Sequence, residues 1–248
     1  MFDKSVYVKR RQTLLERMKN SAAEGRRGIA LFIGNTEAPA QYKDNCKFRQ
    51  DSTWLYFFGI DAPLYAAVID LDNGEETIFA DDVEIGDIIW MGPQPSVASI
   101  AAGVGIEKSA PYKALDAVVG KAVAEGRPVH FIKPSRYYNT MKIASLIGCG
   151  DGEVAEKFSL ALTKAIISMR LVKEDCEIEV LDDAADLGYE MHSVARDSIR
   201  TGILEQEVVG KMEAVTLSKG WGVSFATILT QHGETLHNHL HDKIIEPG

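Results

Sequence analysis

Apolar positions change period along the chain, and the changes outline its elements. Over residues 6–20, Val8, Leu14, Leu15 and Met18 share one side of a helical wheel. Arg10, Arg11, Glu16, Arg17 and Lys19 fall outside it, so an amphipathic helix is expected there. Residues 28–33 form a continuous apolar run ended by Gly34-Asn35, the pattern of a strand buried on both faces. The aromatic run at 53–58, stopped by Gly59, reads as another strand, its ends held by a pairing of Arg49 with Asp51. Residues 65–70 and 77–80 flank Asp72-Asn73-Gly74, and Asn-Gly between two β-rich runs predicts a hairpin. Residues 96–102, 113–125 and 139–147 look helical, 128–132 reads as a further strand, and 87–90 is ambiguous. Strands and helices alternating around one hairpin predict a mixed sheet covered by helices.

The densest glycine stretch, at 148–152, suggests a boundary, with domains at 1–157 and 158–248. Beyond it, 165–200 is long and helix-rich, with Val180, Ala184, Leu187, Met191 and Val194 at three- and four-residue spacing. A second helix is expected over 205–219, then a strand over 224–229. The expected fold class is therefore α/β in the first domain and the start of an α+β arrangement in the second.

Composition narrows the function. Of 248 residues, 46% are hydrophobic and 25% charged, which suits a folded globular chain, and the net charge of −9 argues against nucleic acid or an anionic membrane as partner. Cys46, Cys149 and Cys176 are odd in number and widely spaced, which favours neither a disulfide framework nor a structural zinc site. That cysteine usage fits a reducing cytoplasm, and the charged N-terminus does not read as a secretory signal. No apolar run is long enough to predict a membrane span. His130, in an apolar strand, and His192, on a helix, read as packing residues. The glycines at 103 and 105 resemble only a fragment of a phosphate-loop fingerprint.

The chemistry concentrates near the end. Four of six histidines, His232, His237, His239 and His241, lie within 230–242. On an extended segment His237, His239 and His241 would share one face. Three such imidazoles could bind a metal by themselves, move protons or clamp a carbonyl, or could simply be exposed. Pro247-Gly248 is turn chemistry usually followed by another strand, so the sequence is expected to stop within a domain.

The stretches FRQDSTWLYFFGI at 48–60 and DIIWMG at 87–92 resemble the N-terminal domain of Xaa-Pro aminopeptidases, the aminopeptidase P family. RLVK at 170–173 followed by Glu177-Ile178, and FATIL at 225–229 leading to Thr235-Leu236-His237, are similar to the entry into that family's catalytic domain. The resemblance implies a creatinase-like N-terminal domain followed by an incomplete pita-bread catalytic domain. It implies an exopeptidase releasing the residue before proline, two divalent metals, commonly manganese, and a homo-oligomer. His237 matches the family's substrate-side histidine, and Trp90 a tryptophan bordering the substrate cleft, though Trp90 reads equally well as core. The family's metal ligands are two Asp, one His and two Glu. Asp242 and Glu246 do not match that motif, so no metal ligand is assigned and this chain alone is expected to be inactive and metal-free. The alternative is a binding or assembly module of the same fold that performs no hydrolysis.

Overall fold

Helix α1 (Lys4–Lys19) starts at Asp3, whose carboxylate accepts from the Ser5 amide at 2.8 Å, and ends with Arg17 and Lys19 in the last turn, where the helix dipole favours cations. Its buried face is Tyr7, Arg10, Arg11, Leu14 and Met18, so Arg10 and Arg11 point inward rather than to solvent as expected. The computed structural model describes residues 2–21, 25–42 and 44–248. They divide into two compact units, residues 1–172 and 173–248.

The first unit is built on a five-stranded mixed sheet. Its strands are β1 (Ile29–Ile33), β4 (Ala66–Asp70), β5 (Glu76–Phe79), β6 (Lys108–Ala110) and β7 (Val129–His130), in the order β6-β5-β4-β1-β7. Between β1 and β4, β2 (Pro39–Gln41) pairs with β3 (Asp44–Asn45) in a separate ribbon. The predicted hairpin is β4–β5, with Ala66 opposite Phe79 and the Gly74 amide donating to the Asp70 carbonyl. β1 is antiparallel to β4 and parallel to β7, and this last strand is shorter than the 128–132 expected.

Alternation along the strands separates two cores. Ala30, Phe32, Ala67, Ile69 and Ile78 face one side, while Ile29, Leu31, Ala66, Val68 and Phe79 face the other. Both faces are therefore buried, which is why β1 reads as an unbroken apolar run. The first core is closed by α1, by α2 (Ser52–Phe58) and α4 (Val97–Gly103), and by α8 (Leu160–Leu171). The second is closed by α5 (Ala114–Ala124), α6 (Tyr137–Ile147) and the short α7 (Asp151–Val154). The expected α/β layering is thus present. α8 supplies Leu162, Ile166 and Met169 to the core that holds Leu14 and Met18, so it packs with the first unit although it follows the 157/158 division expected from the sequence.

The aromatic run at 53–58 is helix α2, not a strand. Asp51 caps it, accepting from the amides of Thr53 at 2.8 Å and Trp54 at 2.9 Å, and Gly59 closes it with φ +63°. A β-propensity difference spans only ~1 kcal/mol. Burying large side chains is worth ~1.5–3 kcal/mol each, and the helix turns Trp54, Phe57 and Phe58 together into the core. Asp51 thus serves as a cap rather than as the end of a strand. At Gly59 a Cβ would lie 2.3 Å from the Tyr7 ring, so close approach and positive φ both require glycine. Gly105, at φ +82°, likewise lies against Val8 just after α4, and the glycine pair there shapes a turn.

His130 is a packing histidine, as expected: its ring contacts Ser159 Oγ and the Arg27 carbonyl, each at 2.9 Å. Burial pushes it below the ordinary histidine value.

The second unit has helices α9 (Asp175–Ser198) and α10 (Glu205–Ser218), packed through Ala195, Val208 and Met212 with Ile203. His192 is exposed on α9 rather than packed. The strand expected at 224–229 does not form. Extended backbone persists as a strand only when a neighbour accepts its ladder, and the one bridge recorded in this unit joins Leu204 to Ile244. Among the described residues no helix is long and apolar enough to cross a membrane.

Candidate functional site

The histidine stretch is a loop rather than a strand. It leaves the α10 side at Thr230 and returns at His241. At its outgoing root, Glu205 Oε1 accepts from Thr230 Oγ1 at 3.0 Å and from the Gln231 amide at 2.9 Å. At its returning root, the Gln206 amide donates to the His241 carbonyl at 3.0 Å and the Glu205 amide to the Lys243 carbonyl at 2.9 Å. The Gln231 side chain joins the two, donating to the Ile244 carbonyl and accepting from the Glu246 amide.

Between the roots the loop folds on itself. The Thr235 amide donates to the His232 carbonyl at 2.9 Å, and the Leu240 amide to Asn238 Oδ1 at 3.0 Å. His232 Nδ1 lies 3.1 Å from Glu234 Oε1. The Glu234 carboxyl is held below its usual range by its own backbone amide and, secondarily, by His232.

The turns break the shared face that strict alternation would give. His237 and His239 are exposed, their ring centroids 6.4 Å apart, and His239 Nδ1 lies 3.4 Å from the Thr227 carbonyl. His241 is buried, with φ +51°, and among the described residues its Nε2 has no hydrogen-bond partner. What remains available to a ligand is His237, with His239 beside it. Each neutral imidazole can donate from one nitrogen and accept at the other.

Trp90 belongs to the first unit, on α3 (Ile85–Met91). The helix is fixed at both ends: the Glu84 amide donates to Asp87 Oδ2 at 3.2 Å, and the Gly92 amide to the Ile88 carbonyl. None of its side chains is buried. Trp90 is 89% exposed, which answers the question of core against surface, and Ile85 and Ile89 are exposed with it.

The family profile "Aminopeptidase P, N-terminal domain" matches residues 7–130. The chain belongs to this family. The aminopeptidase P N-terminal domain therefore carries α1, the sheet and α3, with Trp90 inside the match. Over 222 residues the chain is 25% identical to human Xaa-Pro dipeptidase, covering 87% of this chain and 43% of that protein. A probable Xaa-Pro aminopeptidase of Aspergillus niger is 24% identical, over 90% of this chain and 48% of its own length. The chain thus spans less than half the length of these relatives. Zinc-substituted Escherichia coli aminopeptidase P in complex with product superimposes with a TM-score of 0.83 at 20% identity, over 100% of this chain and 57% of that one. The E. coli enzyme with the inhibitor Pro-Leu gives 0.81 over 99% of this chain and 57% of its own. These likenesses extend the aminopeptidase P fold through both units.

The residues present do not fit the two-metal site that the resemblance implies. Among the described residues, no group of three or more His, Cys, Asp or Glu side chains is placed to hold a metal ion. Asp242 and Glu246, the acids nearest the histidines on the returning segment, are exposed. Glu205 is not legible as a site residue from the sequence. A glutamate at a helix start reads as an ordinary dipole-favoured surface acid, and only the fold buries it completely.

Proposed function

We propose that this chain serves the hydrolysis of peptides with proline in second position, as the N-terminal and substrate-side part of an Xaa-Pro aminopeptidase. The observation that carries the reading is the exposed His237, presented on a loop rooted at both ends, in a chain of the aminopeptidase P N-terminal domain family. His237 would hydrogen-bond the substrate at the amide being cleaved and stabilise charge that develops there. The metal chemistry, with manganese as the expected ion, is assigned to none of these 248 residues. The setting proposed is a cytoplasmic homo-oligomer, with Trp90 at a substrate cleft or a subunit contact.

A second reading is a binding or assembly module without hydrolysis. It is favoured by α3, a capped helix whose isoleucines and tryptophan are all exposed. Such apolar surface commonly marks an interface.

The experiment is an Xaa-Pro peptide assay with added manganese, on residues 1–248 alone and on the same residues joined to or mixed with a metal-bearing catalytic segment. Release of the first residue only in the second case, lowered by His237→Ala, supports the peptidase reading. Peptide binding without release in either case favours the module. Metal-dependent release by residues 1–248 alone would overturn the assignment of the metal centre elsewhere.

A further inference from the structure

Glu205 has no exposed surface, yet it is a carboxylate, and a fully buried carboxylate is rare unless its oxygens are engaged. One oxygen is engaged at a telling place, on both the hydroxyl of Thr230 and the amide of Gln231, where the His237 loop begins. The same residue's amide holds Lys243, just beyond the loop's end. A loop of this length with free roots samples many conformations, and fixing both ends at one short helix start removes most of them. Among the described residues the second oxygen of Glu205 and the buried Nε2 of His241 have no hydrogen-bond partner, so the hydrogen bonds of the Glu205 carboxylate go to the loop root.

We propose that Glu205 is a positioning residue for His237: it pins the outgoing root of the histidine loop while the α10 amides pin the returning one. The functional half of this inference rests on the substrate-side reading of His237; the conformational half does not.

Amide hydrogen exchange on residues 1–248 tests the conformational half. In Thr230→Val and Glu205→Ala, exchange at Gln231 and through 232–237 should rise by about tenfold or more, as expected of a locally released segment. The amides of Gln206 and Ile245, which donate in the returning root and its continuation, should keep their protection. Glu205→Gln retains an acceptor at Oε1 and should stay close to the parent. Parent-like exchange at Gln231 in Thr230→Val and Glu205→Ala would overturn the proposal. If Glu205→Ala unfolds the whole unit, the Thr230→Val result decides.

A double-mutant cycle of Thr230→Val with His237→Ala, read as Xaa-Pro peptide turnover with residues 1–248 joined to a metal-bearing catalytic segment, tests the functional half. The two losses should be strongly non-additive, because the first acts through the second. Independent, multiplying losses would leave Glu205 a merely structural residue. Full turnover in His237→Ala would instead remove the substrate-side reading while leaving the exchange result intact.

Discussion

Arg11 Nε donates to Glu76 Oε2 at 2.8 Å, tying α1 to β5. Arg11 is wholly buried, and its other nitrogens donate to the carbonyls of Phe57 at 2.9 Å and Val104 at 2.8 Å, so one guanidinium joins α1, α2, α4 and the sheet. Burial works against both charges, pushing Arg11 down and Glu76 up, with each partner opposing the other's shift. Such a group holds its neighbours in place only while every donor is used. Arg11→Met should leave the Glu76 carboxylate and two carbonyls short of partners and cost about 3–5 kcal/mol, the range for breaking a buried pair. Urea unfolding of the variant checks this, and a loss below about 1 kcal/mol, the median worth of an exposed pair, would show the network to be dispensable.

Gly59→Ala should destabilise the first unit by about 2–5 kcal/mol. Positive φ at a non-glycine residue costs about 1–3 kcal/mol and overpacking a similar amount. The new methyl would meet the Tyr7 ring, which also accepts the Phe2 amide at its hydroxyl. Gly126→Ala shares the positive φ but has open space around it, and should cost distinctly less. Thermal midpoints of the two variants separate strain from collision.

Stability should depend on His130 in mildly acid solution. Its folded value is depressed by burial, so the neutral ring contributes stability in full above the ordinary value of about 6.5. That contribution is lost as pH falls through the depressed value, because the unfolded chain takes up the proton first. Urea midpoints from pH 7.5 to 5 should fall more steeply in the parent than in His130→Gln. Equal slopes would mean that His130 is as easily protonated in the fold as out of it.

The three histidines of the loop should behave differently on substitution. With residues 1–248 joined to a metal-bearing catalytic segment, His237→Ala is expected to lower kcat by roughly ten- to ten-thousand-fold, the span of proton-transfer and polar transition-state contacts, with bound metal unchanged. His239→Ala should be milder. His241→Ala should act through stability, since that ring is buried. Kinetics, metal analysis and melting on the three variants test this together. Loss of metal from His237→Ala would make it a ligand instead.

Self-association, if it runs through the first unit, should depend on α3. The aromatic cluster at 54–58 is in the core, with Trp54, Phe57 and Phe58 almost fully buried, so it offers no surface. Trp90→Ser with Ile89→Ser should shift the protein toward monomer in light scattering and leave its melting temperature nearly unchanged. A parent that is strictly monomeric at micromolar concentration would remove the prediction.

Much of the fold is readable in the sequence because its signals are local. The unbroken apolar run at 29–33 can only be satisfied by cover on both faces, and Asn73-Gly74 closes β4 onto β5. The helical spacings give α4, α5, α6 and α10 within a few residues. The family resemblance likewise rests on short contiguous stretches. α2 was less legible, because its aromatic composition favours a strand while Asp51 and Gly59, the capping residues, favour a helix.

Tertiary structure alone decided the rest. A charged residue reads as exposed until something distant satisfies it. Arg10 and Arg11 became core residues because the carbonyls of Tyr56 and Phe57 meet them across a 46-residue separation. Glu205 became buried because Thr230 and Gln231 return to it. Alternation put three histidines on one face, but that rule holds only while a ladder keeps the backbone extended. Without one, the segment turned, His241 went inside and His237 stayed out. Sequence determined which local conformations were cheap; long-range hydrogen bonding determined which polar groups could leave water.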